Sequence, residues 1–148
     1  MAKIIAIANQ KGGVGKTTTA VNLSACVAER GKRVLLIDID PQGNATSGLG
    51  VVAEENKSIY NVLIEDINIE TTICHTMIKK LDVCPANINL AGAEIELVSM
   101  VSRETRLKNA LEEVKEKYDY IFIDCPPSLG LITLNSFTAA DSVLVPIQ

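Results

Sequence analysis

The sequence predicts an α/β fold in which a mostly parallel sheet carries helices on both faces. Short runs of β-branched and aliphatic residues alternate with longer segments of helical spacing, which is typical of strands joined by crossover helices. Apolar residues make up 47% of the chain, charged residues 22% and aromatic residues 3%, and this composition suits an aliphatic α/β core. At 148 residues, the chain is expected to form one domain.

The first strand and the first helix are predicted at residues 4–8 and 16–30. The strand is a continuous apolar run, which indicates burial on both faces. Apolar positions recur at helical spacing through the second segment, and Gly31 is well suited to follow the end of a helix.

The glycine-rich sequence KGGVGKTT connects these two elements. Its glycines allow backbone N–H groups to surround an anion, and the helix that follows adds a positive N-terminus. This arrangement predicts a phosphate-binding loop and therefore a P-loop NTPase-like fold, in which Lys16 reaches the β and γ phosphates and the Thr17 hydroxyl holds Mg²⁺. A glycine turn that only caps a helix is the alternative, but the flanking strand and helix favour the loop. The predicted nucleotide-binding residues are Lys11, Gly12, Gly13, Val14, Gly15, Lys16, Thr17 and Thr18.

Acidic residues follow two further predicted strands. Residues 34–37 lead to Asp38 and Asp40, and residues 120–123 lead to Asp124. Ligands of parallel sheets bind at the carboxyl edge, so these side chains should lie near the phosphate loop. Asp124 after an apolar strand matches a Walker B acid that orients a water on Mg²⁺. Each aspartate taken alone has an alternative role as the cap of a turn.

The middle of the chain is less informative. Ser58 is a good N-cap for a helix beginning at residue 59, and a short helix is predicted at residues 68–73 with His75 near its end. We expect His75 to be a surface or helix-terminal residue. A strand is predicted at residues 81–85.

A long helical region is predicted after that strand. It includes an amphipathic stretch in which Leu107, Ala110, Leu111 and Val114 share one face. A helix at residues 131–140 and a last strand at residues 143–145 are predicted to follow.

Composition and charge restrict the function classes. The four cysteines and the single histidine show no C-x-x-C pair and no zinc spacing. A net charge of −4 argues against a broad nucleic-acid surface on this segment. Met1 leads directly into the first strand, and no apolar run approaches the ~18 residues that cross a membrane, so a cytoplasmic location is expected.

The phosphate loop departs from the ordinary G-x-x-x-x-G-K-[ST] pattern, which requires glycine where this chain has Gln10. KGGVGKTT resembles the deviant Walker A of the ParA/MinD superfamily of ATPases. In that family the additional lysine, here Lys11, contacts the nucleotide bound by the partner subunit of a dimer. The resemblance therefore adds Lys11 to Lys16 as an expected catalytic residue.

Three other segments carry the same resemblance. LLIDIDPQGNATSGLG is similar to Walker A′ and switch I of ParA-type proteins, which implies that Asp40 orients the attacking water or its proton and that Asp38 helps order the magnesium shell. CPPSLG resembles switch II, which responds to the γ phosphate, and PANINLAGAEIELV resembles a partner-facing region. The expected metal-site residues are Thr17, Asp38 and Asp124, and the expected catalytic residues are Lys11, Lys16 and Asp40.

The resemblance implies a ParA/Soj-type ATPase that uses ATP and Mg²⁺ in chromosome or plasmid partitioning. It implies an ATP-dependent homodimer, a ParB-type activator, a nucleoid-associated cytoplasmic location and no membrane. ParA-type proteins continue well past residue 148, so residues 1–148 are expected to be a nucleotide-binding domain truncated at its C-terminal end. Nonspecific DNA binding would depend mainly on the missing part.

Three alternatives come from other classes of protein. A MinD-like membrane switch shares the loop, although DPQGN and IDCPPSLG favour the partition branch. An iron–sulfur relative would need bridging cysteines, and Cys125 directly follows the Walker B acid, too close for that pattern. The third alternative is a fragment that binds nucleotide without turnover.

Overall fold

The computed structural model describes residues 1–8 and 14–146 of the chain, with the side chains of the first helix described from Thr19 onward. In this part of the chain, six strands form one sheet. The strands are β1 (Lys3–Ile7), β2 (Val34–Asp38), β3 (Cys74–His75), β4 (Leu81–Cys84), β5 (Tyr120–Asp124) and β6 (Ser142–Leu144). The α-helices are α1 (Val14–Glu29), α2 (Asn44–Gly48), α3 (Ile59–Glu65), α4 (Ala93–Val98), α5 (Arg106–Leu111) and α6 (Leu131–Ala139). Short 3₁₀ helices span Ile69–Thr72, Ile88–Gly92 and Lys115–Lys117.

The strand order is β3-β4-β2-β5-β1-β6. All neighbouring strands are parallel except β3 and β4, which are antiparallel. The prediction of a mostly parallel sheet is therefore confirmed.

Helices cover both faces of the sheet. Leu36 and Phe122 face a core that includes residues of α1 and α2, whereas Leu35 and Ile121 face a core that includes residues of α3, α4, α5 and α6. Successive side chains of a strand point to opposite faces, so both faces of the central strands must be apolar. This requirement explains why every residue of β2 is buried, and it confirms the predicted placement of helices on both faces.

The segment around His75 differs from the prediction. A 3₁₀ helix at Ile69–Thr72 ends before Cys74–His75, which form a short strand antiparallel to β4. The backbone N–H of Thr76 donates to the carbonyl of Leu81 at 3.3 Å, and its hydroxyl donates to the same oxygen at 2.7 Å, closing a turn that returns the chain to the sheet. His75 is exposed, as expected, but its placement at a helix end was wrong because this turn pairs it with β4.

The long helical region predicted after β4 is divided into shorter helices. Leu107, Leu111 and Val114 are fully buried, as the amphipathic pattern predicts. A separate helix begins at Arg106, where the N–H of Leu107 donates to the side-chain oxygen of buried Asn135 at 3.1 Å. This oxygen of α6 provides a partner for one of the N–H groups that the first turn of α5 leaves unpaired.

Two smaller expectations have clear outcomes. Ser58 is the N-cap residue of α3, as predicted, and the side-chain oxygen of Asn61 accepts from its backbone N–H and its hydroxyl at 3.1 and 2.9 Å. None of the described helices is long and apolar enough to cross a membrane.

Candidate functional site

The carboxyl ends of β1, β2 and β5 lie side by side. Asp124 is the register partner of both Ile7 and Asp38, and α1 begins at Val14, soon after the end of β1. The predicted phosphate loop therefore connects to the same edge of the sheet that carries the two aspartates.

The structure describes only part of that loop. Lys11, Gly12 and Gly13 lie outside the described residues, as do the side chains of residues 14–18. The backbone of Val14, Gly15, Lys16, Thr17 and Thr18 is helical, so α1 begins two residues earlier than predicted. The roles expected for the side chains of Lys11, Lys16 and Thr17 thus stay predictions.

Asp38 and Asp124 are both completely buried at the ends of adjacent strands. One carboxylate oxygen of Asp38, Oδ2, accepts hydrogen bonds from the backbone N–H and the hydroxyl of Thr46, at 2.8 and 2.6 Å. The other oxygen, Oδ1, accepts from the N–H of Asp40 at 3.2 Å. Burial raises the pKa of Asp38 to about 6, the hydrogen bonds from Thr46 oppose this rise, and the negative charge of Asp124 adds to it.

Asp40 begins the turn that follows β2. Its carboxylate accepts from the N–H of Gln42 at 3.0 Å, and its carbonyl accepts from the N–H of Gly43 at 2.9 Å. Gly43 has a φ of 64°, in the left-handed region that glycine adopts without strain. Asp40 is 5% exposed, so its side chain lies against the protein instead of extending into solvent.

The donor set fits magnesium. Mg²⁺ prefers oxygen ligands, and it is commonly held by one or two carboxylates together with waters and substrate phosphates. Asp38 and Asp124 offer two carboxylates at one sheet edge, and a cation there would offset the cost of burying like charges. The described part of the chain contains no group of three or more His, Cys, Asp or Glu that could hold a metal by itself.

The segment expected to be switch II follows β5 directly. The N–H of Cys125 donates to the carbonyl of Ile7 at 3.1 Å, which extends the β1–β5 pairing. The chain then becomes exposed, and the Leu129 side chain lies almost entirely in solvent. Residues 125–130 therefore lead from the aspartate edge to the N-terminus of α6.

Sequence reasoning missed two residues at this edge. Buried Thr46 binds Asp38, and its hydroxyl also accepts from the N–H of Ala86 at 3.1 Å. The Glu94 carboxylate of α4 accepts from the N–H groups of Leu131 and Ile132, at 2.8 and 2.9 Å, and so caps α6. Neither contact has a sequence signal, because the partners are brought together by the tertiary fold.

Comparison with known families and proteins gives a consistent result. The model of a family described as "AAA domain", AAA_31, matches residues 2–148. The sporulation initiation inhibitor protein Soj of Bacillus subtilis (strain 168) is 64% identical over 149 residues, which cover 100% of this chain and 59% of Soj. The chromosome partitioning protein ParA of Myxococcus xanthus (strain DK1622) is 54% identical over 147 residues, which cover 99% of this chain and 52% of that protein.

A solved structure with the same fold contains nucleotide. The crystal structure of cobyrinic acid a,c-diamide synthase from Mycobacterium smegmatis with bound ADP and magnesium is 45% identical, has a TM-score of 0.93, and is matched over 99% of this chain and 60% of that one. The same protein has been solved with an ATP analog and magnesium. The chain spans roughly half to three-fifths of the length of these relatives.

Proposed function

The chain belongs to the AAA_31 family of AAA domains, and on this premise we propose that it is the nucleotide-binding domain, residues 1–148, of a ParA/Soj-type ATPase. Its proposed role is to bind ATP with Mg²⁺, hydrolyse it and switch between states in chromosome or plasmid partitioning. The observation that carries the proposal is the alignment of buried Asp38 and Asp124 next to the strand that leads into α1. Similarity to Soj and ParA favours partitioning over the MinD-like alternative.

In the proposed mechanism, backbone N–H groups of residues 11–18 surround the phosphates, and Lys16 binds the β and γ phosphates. The Thr17 hydroxyl would hold the metal, while Asp38 and Asp124 would order its shell. When bound there, Mg²⁺ would supply positive charge that offsets the negative charge of the phosphate oxygens.

Asp40 is the proposed residue that orients the attacking water or its proton. Its burial and its hydrogen bond from Gln42 limit the freedom of the carboxylate, which is what catalysis by positioning requires. Lys11 is proposed to act on the nucleotide of the partner subunit, which makes ATP the ligand that assembles the homodimer.

The proposed partners follow from the relatives. We expect a ParB-type activator, and DNA binding mainly through sequence that the longer relatives have beyond the matched segment. A cytoplasmic, nucleoid-associated location belongs to the same proposal.

The decisive experiment is the solution mass of Asp40→Ala in MgATP and in MgADP. Blocked hydrolysis should trap a dimer in MgATP alone, and adding Lys11→Ala should return it to a monomer. Lys79→Ala is the matched control, because Lys79 lies in the turn before β4, and it should leave the dimer intact.

The possible outcomes distinguish nucleotide binding from ATP-dependent dimer formation. A monomer that binds ATP tightly would support nucleotide binding and reject the dimer switch for this chain. Absence of nucleotide binding by the unmodified chain would reject the proposed function itself.

A further inference from the structure

Thr46 connects three segments around the aspartate edge. It lies in α2, with 4% of its surface exposed. Its N–H and its hydroxyl both donate to Oδ2 of Asp38, eight residues earlier, and its hydroxyl accepts from the N–H of Ala86 after β4. The end of β2, the start of α2 and the connection after β4 therefore meet at one hydroxyl group.

These contacts make the two oxygens of Asp38 unequal. A carboxylate oxygen has about two lone-pair sites, and two donors from Thr46 occupy those of Oδ2. Among the described residues, Oδ1 receives one longer contact, from the N–H of Asp40. Oδ1 is thus the oxygen of Asp38 that can accept a further hydrogen bond.

Capping of α2 alone would not require this arrangement. The backbone N–H of Thr46 is one of the first-turn donors that need an external partner, and Asp38 provides one. The hydroxyl is an additional donor to the same carboxylate oxygen, and the cap does not need it. Its second bond, from Ala86, fixes the direction in which it donates.

We propose that Thr46 is a positioning residue, whose hydroxyl holds Oδ2 of Asp38 so that Oδ1 is presented to the water shell of Mg²⁺. The proposal rests on the proposed function, because it assumes that Asp38 serves a magnesium site. Residues that orient a metal shell commonly change metal affinity by about 10- to 100-fold when altered.

The test compares Thr46→Val with Thr46→Ser by titrating a fluorescent ATP analogue into the full chain, with Mg²⁺ and with EDTA. Valine keeps the shape and removes the hydroxyl, and it should weaken Mg²⁺-dependent binding about tenfold while leaving binding in EDTA nearly unchanged. Serine keeps the hydroxyl and should restore binding to within about twofold of the unmodified chain.

Thr72→Val is the matched control for a buried hydroxyl. The Thr72 hydroxyl donates to the carbonyl of Ile69 at 2.7 Å and lies 3.1 Å from the sulfur of Cys84. It has no role in the proposal, so this variant should keep the Mg²⁺ effect. Equal losses in Thr46→Val and Thr72→Val would overturn the positioning role.

A double-mutant cycle with Asp38→Asn supplies a second test. If the hydroxyl acts through the Asp38 carboxylate, replacing Thr46 in the Asp38→Asn background should produce little further loss of Mg²⁺-dependent binding. If Thr46→Val weakens Mg²⁺-dependent binding as much in the Asp38→Asn background as in the unmodified chain, the proposal is rejected. An unmodified chain whose nucleotide binding ignores Mg²⁺ would instead reject the proposed magnesium site, and the role of Thr46 with it.

Discussion

Strands β2 and β5 run side by side in register, and their two ends carry opposite electrostatic arrangements. Just before the amino ends, the Arg33 guanidinium pairs with Asp119 at 3.2 Å, and the N–H of Arg33 donates to the same carboxylate at 2.8 Å. At the carboxyl ends, Asp38 and Asp124 are register partners, and both are fully buried.

The two ends therefore contribute differently to the molecule. The exposed pair at the amino end joins opposite charges, an arrangement that favours the fold. The carboxyl end brings two acids together out of water, which costs free energy in the absence of a cation. Buried like charges at a position where a cation could bind are typical of a functional site. Removing an acid should therefore stabilise the fold at the carboxyl end of the strand pair and destabilise it at the amino end.

The largest effect is expected from Asp38→Asn without nucleotide or Mg²⁺. Because the pKa of Asp38 is raised to about 6 in the fold, the folded chain keeps a proton that the unfolded chain releases, and stability falls as pH rises from about 4 to about 6. Asparagine removes this cost and should increase the free energy of unfolding at pH 7.5 by about 3 kcal/mol. Urea unfolding at pH 5 and pH 7.5 measures the change.

Asp119→Asn at the other end of the same strands is the control with the opposite sign. The Arg33 side chain lowers the pKa of Asp119, so its contribution to stability is present above the unfolded pKa and is lost as pH falls below it. Asp38→Asn should therefore reduce the loss of stability with rising pH, whereas Asp119→Asn should not. Equal pH profiles in both variants would contradict the assignment.

The sequence predicted the strands and their acids well, because their signals are local. Residues 4–8, 34–37 and 120–123 are apolar runs, and a strand buried on both faces must be continuously apolar. An acid directly after such a run lies at the carboxyl edge of a parallel sheet, whatever the position of its strand in the strand order. The proximity of Asp38 and Asp124 could thus be expected before their register was known.

Contacts between different elements could not be predicted in the same way. His75 lies in a strand because the turn before Leu81 pairs it with β4, and neither residue type nor periodicity shows this. Thr46 and Glu94 bind partners that the fold brings together, and a threonine or glutamate in a short helix has no pattern that identifies such a partner. Sequence reasoning therefore found the acids of the candidate site and missed the residues that hold the site together.

An intermediate effect on stability is expected from removing Glu94, an acid near the carboxyl edge that stabilises the fold. Glu94 caps α6 through the N–H groups of Leu131 and Ile132, so Glu94→Ala should lower the free energy of unfolding by about 1–2 kcal/mol. Glu96→Ala is the control on the same helix, since Glu96 accepts from the Tyr60 hydroxyl at an exposed position, and it should cost less. Chemical denaturation measures both.

Gly130→Ala should act through the same contact. A Cβ at residue 130 would overlap the carboxylate of Glu94, so that carboxylate must shift and its hydrogen bonds to Leu131 and Ile132 should weaken. The double variant with Glu94→Ala should therefore cost less than the sum of the two single changes. Additive costs would show that Gly130 is required for another reason.

The smallest effect is expected from removing the Arg33–Asp119 pair. Both side chains are partly exposed, so water and salt already weaken their attraction. Asp119→Asn should lower the unfolding midpoint less than either of the preceding changes, and the difference from the unmodified chain should shrink in 1 M salt, where the Debye length is about 3 Å. A loss that persists in 1 M salt would show that the exposed ion pair is not the source of the stabilisation, because the side-chain oxygen of asparagine can still accept the bond from the Arg33 N–H.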